Sequence, residues 1–186
     1  GRLWPGKETF CFDVNYRQPA GYGDVKFVWE LNRLQLLQPV AVLARATGSR
    51  EDVQWMMDLL SSWMEANPPF RGVNWSSGIE LALRLVSLTI VVACIGEHLT
   101  ADNRRQIRAF VAAHGYWLYR NPSLHSSANN HRVAEGLGLL QLAANEPDAA
   151  IHSFELAASL YKDPEDILRV VIHEVFQLKA LNRTPD

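Results

Sequence analysis

From Val25 onward the chain is punctuated as a succession of helices, and that punctuation restricts the fold more than any single residue does. Apolar residues recur at three- and four-residue spacing, between residues that start or stop helices. Val25 to Leu37 reads as a first helix, which Pro39 breaks and at once restarts, because proline suits the first helical turn. The restarted piece runs to Ala46, and Gly48 caps it. Ser49, with Asp52 three residues on, opens a helix to Ala66 in a variant of the capping box, and Asn67-Pro68-Pro69 ends it. Phe70 to Ser76 is a loop; Ser76 or Ser77 then caps a long helix to His98, and Thr100 opens another to Arg120. Asn121-Pro122 stops that one, a loop spans Ser123 to Asn129, and a helix follows from His131 to Ala144. Pro147 and Asp163-Pro164 start two more. No segment alternates with the two-residue period of a strand, so the expected class is all-α. Successive antiparallel hairpins can build a bundle, a superhelix or part of a toroid, and no fixed-period repeat decides among them.

Composition narrows the setting. With 186 residues, 48% hydrophobic and 20% charged, the chain suits one globular domain with a real core. Its net charge of −2 gives no general pull toward nucleic acid or membrane. Arg104, Arg105 and Arg108 read as the solvated face of a helix. Of the two cysteines, Cys94 lies in an apolar run and is expected to be a buried thiol; neither has metal or redox spacing. The run Val86 to Ile95 is too short for a bilayer and follows Glu80 and Arg84 on the same helix, so no transmembrane segment is expected. No signal peptide is visible, and the start at Gly1-Arg2-Leu3-Trp4 fits a removed leader or a trimmed end. Residues 1–24, with scattered prolines, glycines and aromatics, read as an irregular lead-in to a helical domain over 25–186.

Three segments carry polar residues that a helical core does not need. In Asp24 to Arg33, Trp29 and Arg33 share one helix face, while Lys26 and Glu30 share another; alone, this is an amphipathic helix start with a Lys26–Glu30 pair. In Gly72 to Arg84, Asn74 and Trp75 stand at a helix N-terminus, where free N–H groups can meet an anion and an indole can face a sugar. The competing reading of Glu80 and Arg84, four apart, is an internal ion pair that locks packing. In Ser126 to Glu135, one of Asn129 and Asn130 serves as an N-cap, which leaves the other amide unexplained. His131 is a residue type suited to moving protons, and Glu135 four residues on is placed to orient it; the competing reading is a surface His–Glu pair. His98, His114, His125, His152 and His173 lack ligand partners at helical spacing, and position 177 is Gln, so neither a catalytic zinc nor any cofactor is expected.

Together these segments resemble the N-terminal helical domain of the heparinase II/III-like polysaccharide lyases, over about Asp24 to Ala143. The likeness rests on Trp29-Glu30-Leu31-Asn32-Arg33, on Asn67-Pro68-Pro69 followed by Gly72-x-Asn74-Trp75, on Glu80-x-x-x-Arg84 and on Asn129-Asn130-His131. It implies an (α/α) toroid, a C-terminal β-sandwich domain in full-length members, and cleavage of acidic polysaccharides by β-elimination at a uronic acid. By that resemblance Asn130 neutralises the sugar carboxylate and His131 is an acid/base or a substrate contact. Trp29, Arg33, Asn74, Trp75 and Asn129 would bind substrate, with Glu80, Arg84 and Glu135 in support. It also favours a bacterial periplasmic or secreted protein.

The family's catalytic tyrosine follows the Asn-His run in a distinct segment, and Tyr161, in a helical context, does not match it. The expectation is therefore a domain of a longer protein with little or no lyase activity alone. Three other readings compete. One is a non-catalytic carbohydrate-binding or scaffold domain. Another is a toroidal glycoside hydrolase that uses two of Glu30, Glu80 and Glu135. The last is a helical protein-interaction module.

Overall fold

In the computed structural model, residues 2–18, 21–124 and 130–145 are described, with side chains to 140 in the last helix. Six α-helices follow one another: α1 (Val25–Leu31), α2 (Leu37–Thr47), α3 (Arg50–Ala66), α4 (Gly78–Ile95), α5 (Ala101–Arg120) and α6 (Asn130–Asn145). Short 3-10 turns lie at Cys11–Asp13, Val73–Trp75 and Gly96–His98. The described residues hold no strand, only an isolated antiparallel bridge between Phe10 and Arg71, and the class is all-α. The helices expected at Pro147 and Asp163-Pro164 lie outside the described residues.

Local chemistry sets most boundaries. Ser49 Oγ accepts from the Asp52 amide, and Thr100 and Asn103 form a reciprocal capping box, each cap contributing ~1 kcal/mol. Gly48 closes α2 at φ 70°, where a Cβ would be strained. The first helix, however, does not run to Leu37. Asn32 ends it by turning its side-chain amide back onto the Val28 carbonyl at 2.7 Å. Leu34 then takes a left-handed φ of 60° and goes into the core. This places Arg33 beyond α1, off the Trp29 face, and the expected Lys26–Glu30 pair is not among the ion pairs formed. Pro39 falls in the first turn of α2.

The helices pack in two rows. α4 neighbours α2 on one side and α6 on the other. α3 packs on α2, and α5 packs on α4 and α6. The second row is joined where Trp63 of α3 meets Phe110 of α5 edge-on at 5.6 Å. The core they enclose centres on α4, with Leu81, Leu85, Leu88, Val91 and Ile95 buried. Residues Gly78–His98 are long and apolar enough to cross a bilayer by length and composition, with a mean hydropathy of 2.1, which the shorter count from Val86 missed. In this fold the apolar residues of α4 meet other helices on several sides, which accounts for a nearly all-round apolar helix. α4 and α6 approach closely at Gly138, where a Cβ would stand 3.1 Å from Ala82 Cα. Cys11 is the buried thiol and Cys94 is half-buried, the reverse of the expected emphasis.

Candidate functional site

The polar motifs converge on one loop, residues 67–76, which leads into α4. Its backbone is tied from every side. Trp29 Nε1 donates to the Val73 carbonyl at 2.9 Å, and Ser76 Oγ donates to the same oxygen at 2.7 Å. Trp75 Nε1 donates to the Asn67 carbonyl at 3.0 Å, and Asn74 Nδ2 donates to Asn67 Oδ1 at 2.8 Å. The lead-in supplies the rest: Cys11 N–H reaches the Phe70 carbonyl, Gly72 N–H the Thr9 carbonyl and Val73 N–H the Pro5 carbonyl. Gly72 adopts φ 70°, and a Cβ there would press within 2.9 Å of the Gly6 backbone, so this crossing admits only glycine.

These ties correct the expected roles of two tryptophans. Trp75 is 0% exposed and Trp29 is 8% exposed, so neither presents a face to a sugar. Each spends its indole N–H on the loop backbone instead, as buried tryptophans do. Asn74 is also buried, and its carbonyl accepts from Arg84.

The carboxylates are committed as well. Glu80 does not pair with Arg84 as an isolated internal couple. It takes a two-point bond from Arg33, at 2.7 Å and 3.0 Å, across 47 positions of sequence. That contact with Glu80 raises the Arg33 pKa above its ordinary value. Arg84 lies fully inside, over the Trp63 and Trp75 rings at 5.0 Å and 5.9 Å. Its Nη1 meets His114 Nε2 at 3.3 Å. Burial pulls the Arg84 pKa down to about 9, against the attraction of Glu80. Glu135 is 1% exposed, so it forms no surface pair with His131. Its two oxygens accept from Ser123 Oγ at 2.6 Å and from Ser123 N–H at 3.0 Å, and the carboxylate lies against Gly78 at the start of α4. Ser77 is the N-cap residue of α4, but neither it nor Ser76 caps with its side chain, so a carboxylate from α6 occupies the positive end of the helix. With Glu80 and Glu135 both buried and bonded, and Glu30 exposed on α1, no two of them form a free acid pair for glycoside hydrolysis.

A cleft of about 280 Å³ opens beside this frame. Its floor is the entry to α4 (Ser76, Ser77 and Gly78) with the Trp117 ring. One wall is the end of α5 and the turn after it, Asn121 to Leu124. The other is the lead-in, with Cys11, Phe12, Val14, Tyr16 and Arg17. His131, on the first turn of α6, completes the rim. Tyr16 packs edge-on to Trp29, with ring centroids 5.1 Å apart, so the buried indole positions a cleft residue. The Ser77 carbonyl accepts from the Glu80 and Leu81 amides, which leaves the amides of Gly78 and Ile79 without a backbone acceptor.

Of the residues expected to act on substrate, then, His131 faces this cleft. Asn130 is exposed at the start of α6 but is not part of the cleft lining, and Arg33 is half-buried against Glu80. Asn129 lies outside the described residues. Tyr16, Arg17 and Ser123 carried no signal in the sequence: the first two sit in the aperiodic lead-in, and Ser123 looked like an ordinary residue after Asn121-Pro122. No group of three or more metal-ligating side chains occurs among the described residues. Comparison with protein-family models, curated proteins and solved structures returns no match.

Proposed function

We propose that this chain is the helical domain of a polysaccharide lyase of the heparinase II/III-like kind, built on an (α/α) toroid and acting on uronic-acid polymers by β-elimination. The observation that carries the reading is the cleft that sets His131 against the start of α4 beside Arg17. Two features of the frame support it. The alternation of helices between two rows is what a growing (α/α) arrangement requires. The resembling motifs, scattered over a hundred positions of sequence, also gather around one loop and one cleft.

The chemistry follows from the groups present. A uronate carboxylate entering the cleft meets the Arg17 guanidinium, which offsets its charge, while the start of α4 is already taken by Glu135. Asn130, exposed one residue before His131 and outside the cleft lining, would have to turn inward to offer a side-chain N–H to the enediolate that forms as the neighbouring carbon loses its proton. His131 takes or relays that proton. The electron pair forms the ring double bond and the bond to the glycosidic oxygen breaks. That oxygen needs a proton from an acid, which the resembling family takes from its catalytic tyrosine and for which Tyr161 is no match, so the chain alone is expected to turn over little or nothing. In this reading Trp29, Asn74, Trp75, Glu80 and Arg84 hold the cleft floor and do not touch sugar.

The same cleft would serve a non-catalytic carbohydrate-binding domain, which is favoured by Asn130 standing outside its lining. Titration with oligouronates and with neutral oligosaccharides of equal length tests both. Binding confined to the uronates, and lost in Arg17→Ala and His131→Ala, supports the assignment. Equal binding of neutral sugars refutes it. Since little or no lyase activity is expected of this chain alone, unsaturated ends detected by ultraviolet absorbance would identify a lyase complete in itself. Their absence fits the incomplete lyase domain and the binding domain alike, and saturated new ends would identify a hydrolase instead.

A further inference from the structure

Away from the cleft wall, the buried titratable groups meet at one point that the proposed chemistry leaves unused. His114 of α5 is 0% exposed and wedged between Trp75 and Phe110, whose ring centroids lie 4.4 Å and 4.3 Å from its own. Its Nδ1 lies 2.9 Å from the Phe110 carbonyl, which can only accept, so Nδ1 carries the proton. Nε2 therefore holds a lone pair, and Arg84 Nη1 donates to it at 3.3 Å. Through its other amino group Arg84 donates to the Asn74 carbonyl, inside the 67–76 loop. The guanidinium thus spans a neutral imidazole and the loop that shapes the cleft floor.

We propose that the Arg84–His114 contact is an acid-operated latch on the 67–76 loop: a proton on His114 Nε2 turns its acceptor into a second donor facing Arg84, and the guanidinium releases Asn74. The charge count supports release over rearrangement. Among the described residues the charged group facing His114 is Arg84 of α4, and Arg84 in turn feels Glu80, one turn before it. Glu80 is already engaged by Arg33 from the segment after α1. α3 contributes the Trp63 ring, the loop contributes Trp75 and the Asn74 amide, and α5 contributes Phe110; none of these carries a negative charge. Among the described residues a protonated His114 would have no anion of its own. Burial first, and the Arg84 charge second, hold its pKa well below the ordinary 6.5, against the pull of the Phe110 carbonyl. Asn74 leads directly into Ser76, Ser77 and Gly78, so release alters the cleft from behind.

The test is an acid titration of the whole chain from about pH 7.5 to about pH 4.5. Near-ultraviolet circular dichroism follows the packing of the aromatic side chains, Trp63 and Trp75 among them, and the far-ultraviolet signal follows the helices. The expected result is a loss of near-ultraviolet signal before helicity falls. The protection factor of the amides in the 67–76 loop, which is exchange corrected for the intrinsic rate at each pH, should fall by roughly tenfold per pH unit through the step, because opening is linked to uptake of one proton. His114→Gln should remove both effects. A step that persists in His114→Gln overturns the latch. Should that variant fail to fold, the wild-type histidine ¹⁵N spectrum decides. Protonation of His114 coincident with the step supports the latch, and a His114 that stays in the neutral Nδ1–H form throughout the step overturns it.

Discussion

Gly78→Ala isolates the contact on which the start of α4 depends. Gly78 is the first residue of α4, and its φ lies outside the left-handed range, so alanine is free to adopt its backbone. Backbone entropy alone would then favour alanine by up to ~0.5–1 kcal/mol. Space opposes it. A Cβ at this position would overlap Glu135 Oε1, lie 3.0 Å from Glu135 Cδ and lie 3.1 Å from Trp117 Cζ3. Two responses are open. If the carboxylate is pushed aside, it gives up the two Ser123 bonds, each charge-assisted and contributing ~1.5–3 kcal/mol. If α6 moves outward instead, the cost is that of overpacking, ~1–3 kcal/mol, and the Gly138 crossing with Ala82 loosens with it. The second route is cheaper, so the net expectation is a loss of roughly 1–2 kcal/mol and a Tm lower by roughly 2–8 °C. Urea unfolding should show a lower midpoint at an unchanged slope. The decisive comparison repeats the substitution in Glu135→Ala. With the carboxylate gone only the Trp117 contact at 3.1 Å remains, so Gly78→Ala should cost clearly less. A loss of the same size in both backgrounds would refute the account.

Four further outcomes are expected. Glu80→Gln should cost ~3–5 kcal/mol by calorimetry, because it leaves Arg84 buried without its compensating charge; Arg33→Gln, whose side chain is 23% exposed, should cost less. Trp29→Phe should lose ~2 kcal/mol in denaturant titration, through its bond to the Val73 carbonyl and through the space left by the smaller ring. Gly138→Val should separate α4 from α6 and cost ~1–3 kcal/mol, since its first carbon already meets Ala82 and Leu118 within 3.3 Å. His114 fixes the sign of an acid effect. Its pKa is lowered by folding, so its contribution is complete above 6.5 and declines as pH falls below that value, with a slope approaching ~1.4 kcal/mol per pH unit. Stability measured across that range should flatten in His114→Gln.

Much of the fold was legible because helix ends are local. Ser49, Gly48, Thr100 and Asn121-Pro122 act within four residues of themselves, and each does so as the spacing predicts. α1 was misjudged because its stop is an Asn32 side chain and a buried Leu34, which the apolar pattern counts as helix. The site was legible only as a set of names. Trp29 finds its acceptor 44 positions away and Arg33 its carboxylate 47 positions away, so nothing nearby in sequence distinguishes a sugar platform from a structural tie. Glu135 illustrates the same limit. Its spacing from His131 suggested a pair along one helix, whereas burial sends it across to Ser123 and the start of α4.

The stitching of the lead-in to the 67–76 loop bears on the order in which the molecule assembles. The bonds from Cys11, Thr9 and Pro5 to Phe70, Gly72 and Val73 each close a chain segment of about sixty residues, whereas the α2–α3 and α4–α5 hairpins close over short turns. Short closures are made first, and the long ones gain their bonds only after the hairpins have paid the entropy of bringing both ends together. The cleft, walled by that same lead-in, is therefore expected to be the last part of the domain to form and the first to open. The amides of Gly72 and Val73 should exchange with solvent at an opening free energy below that of the α4 core, whichever chemistry the cleft performs.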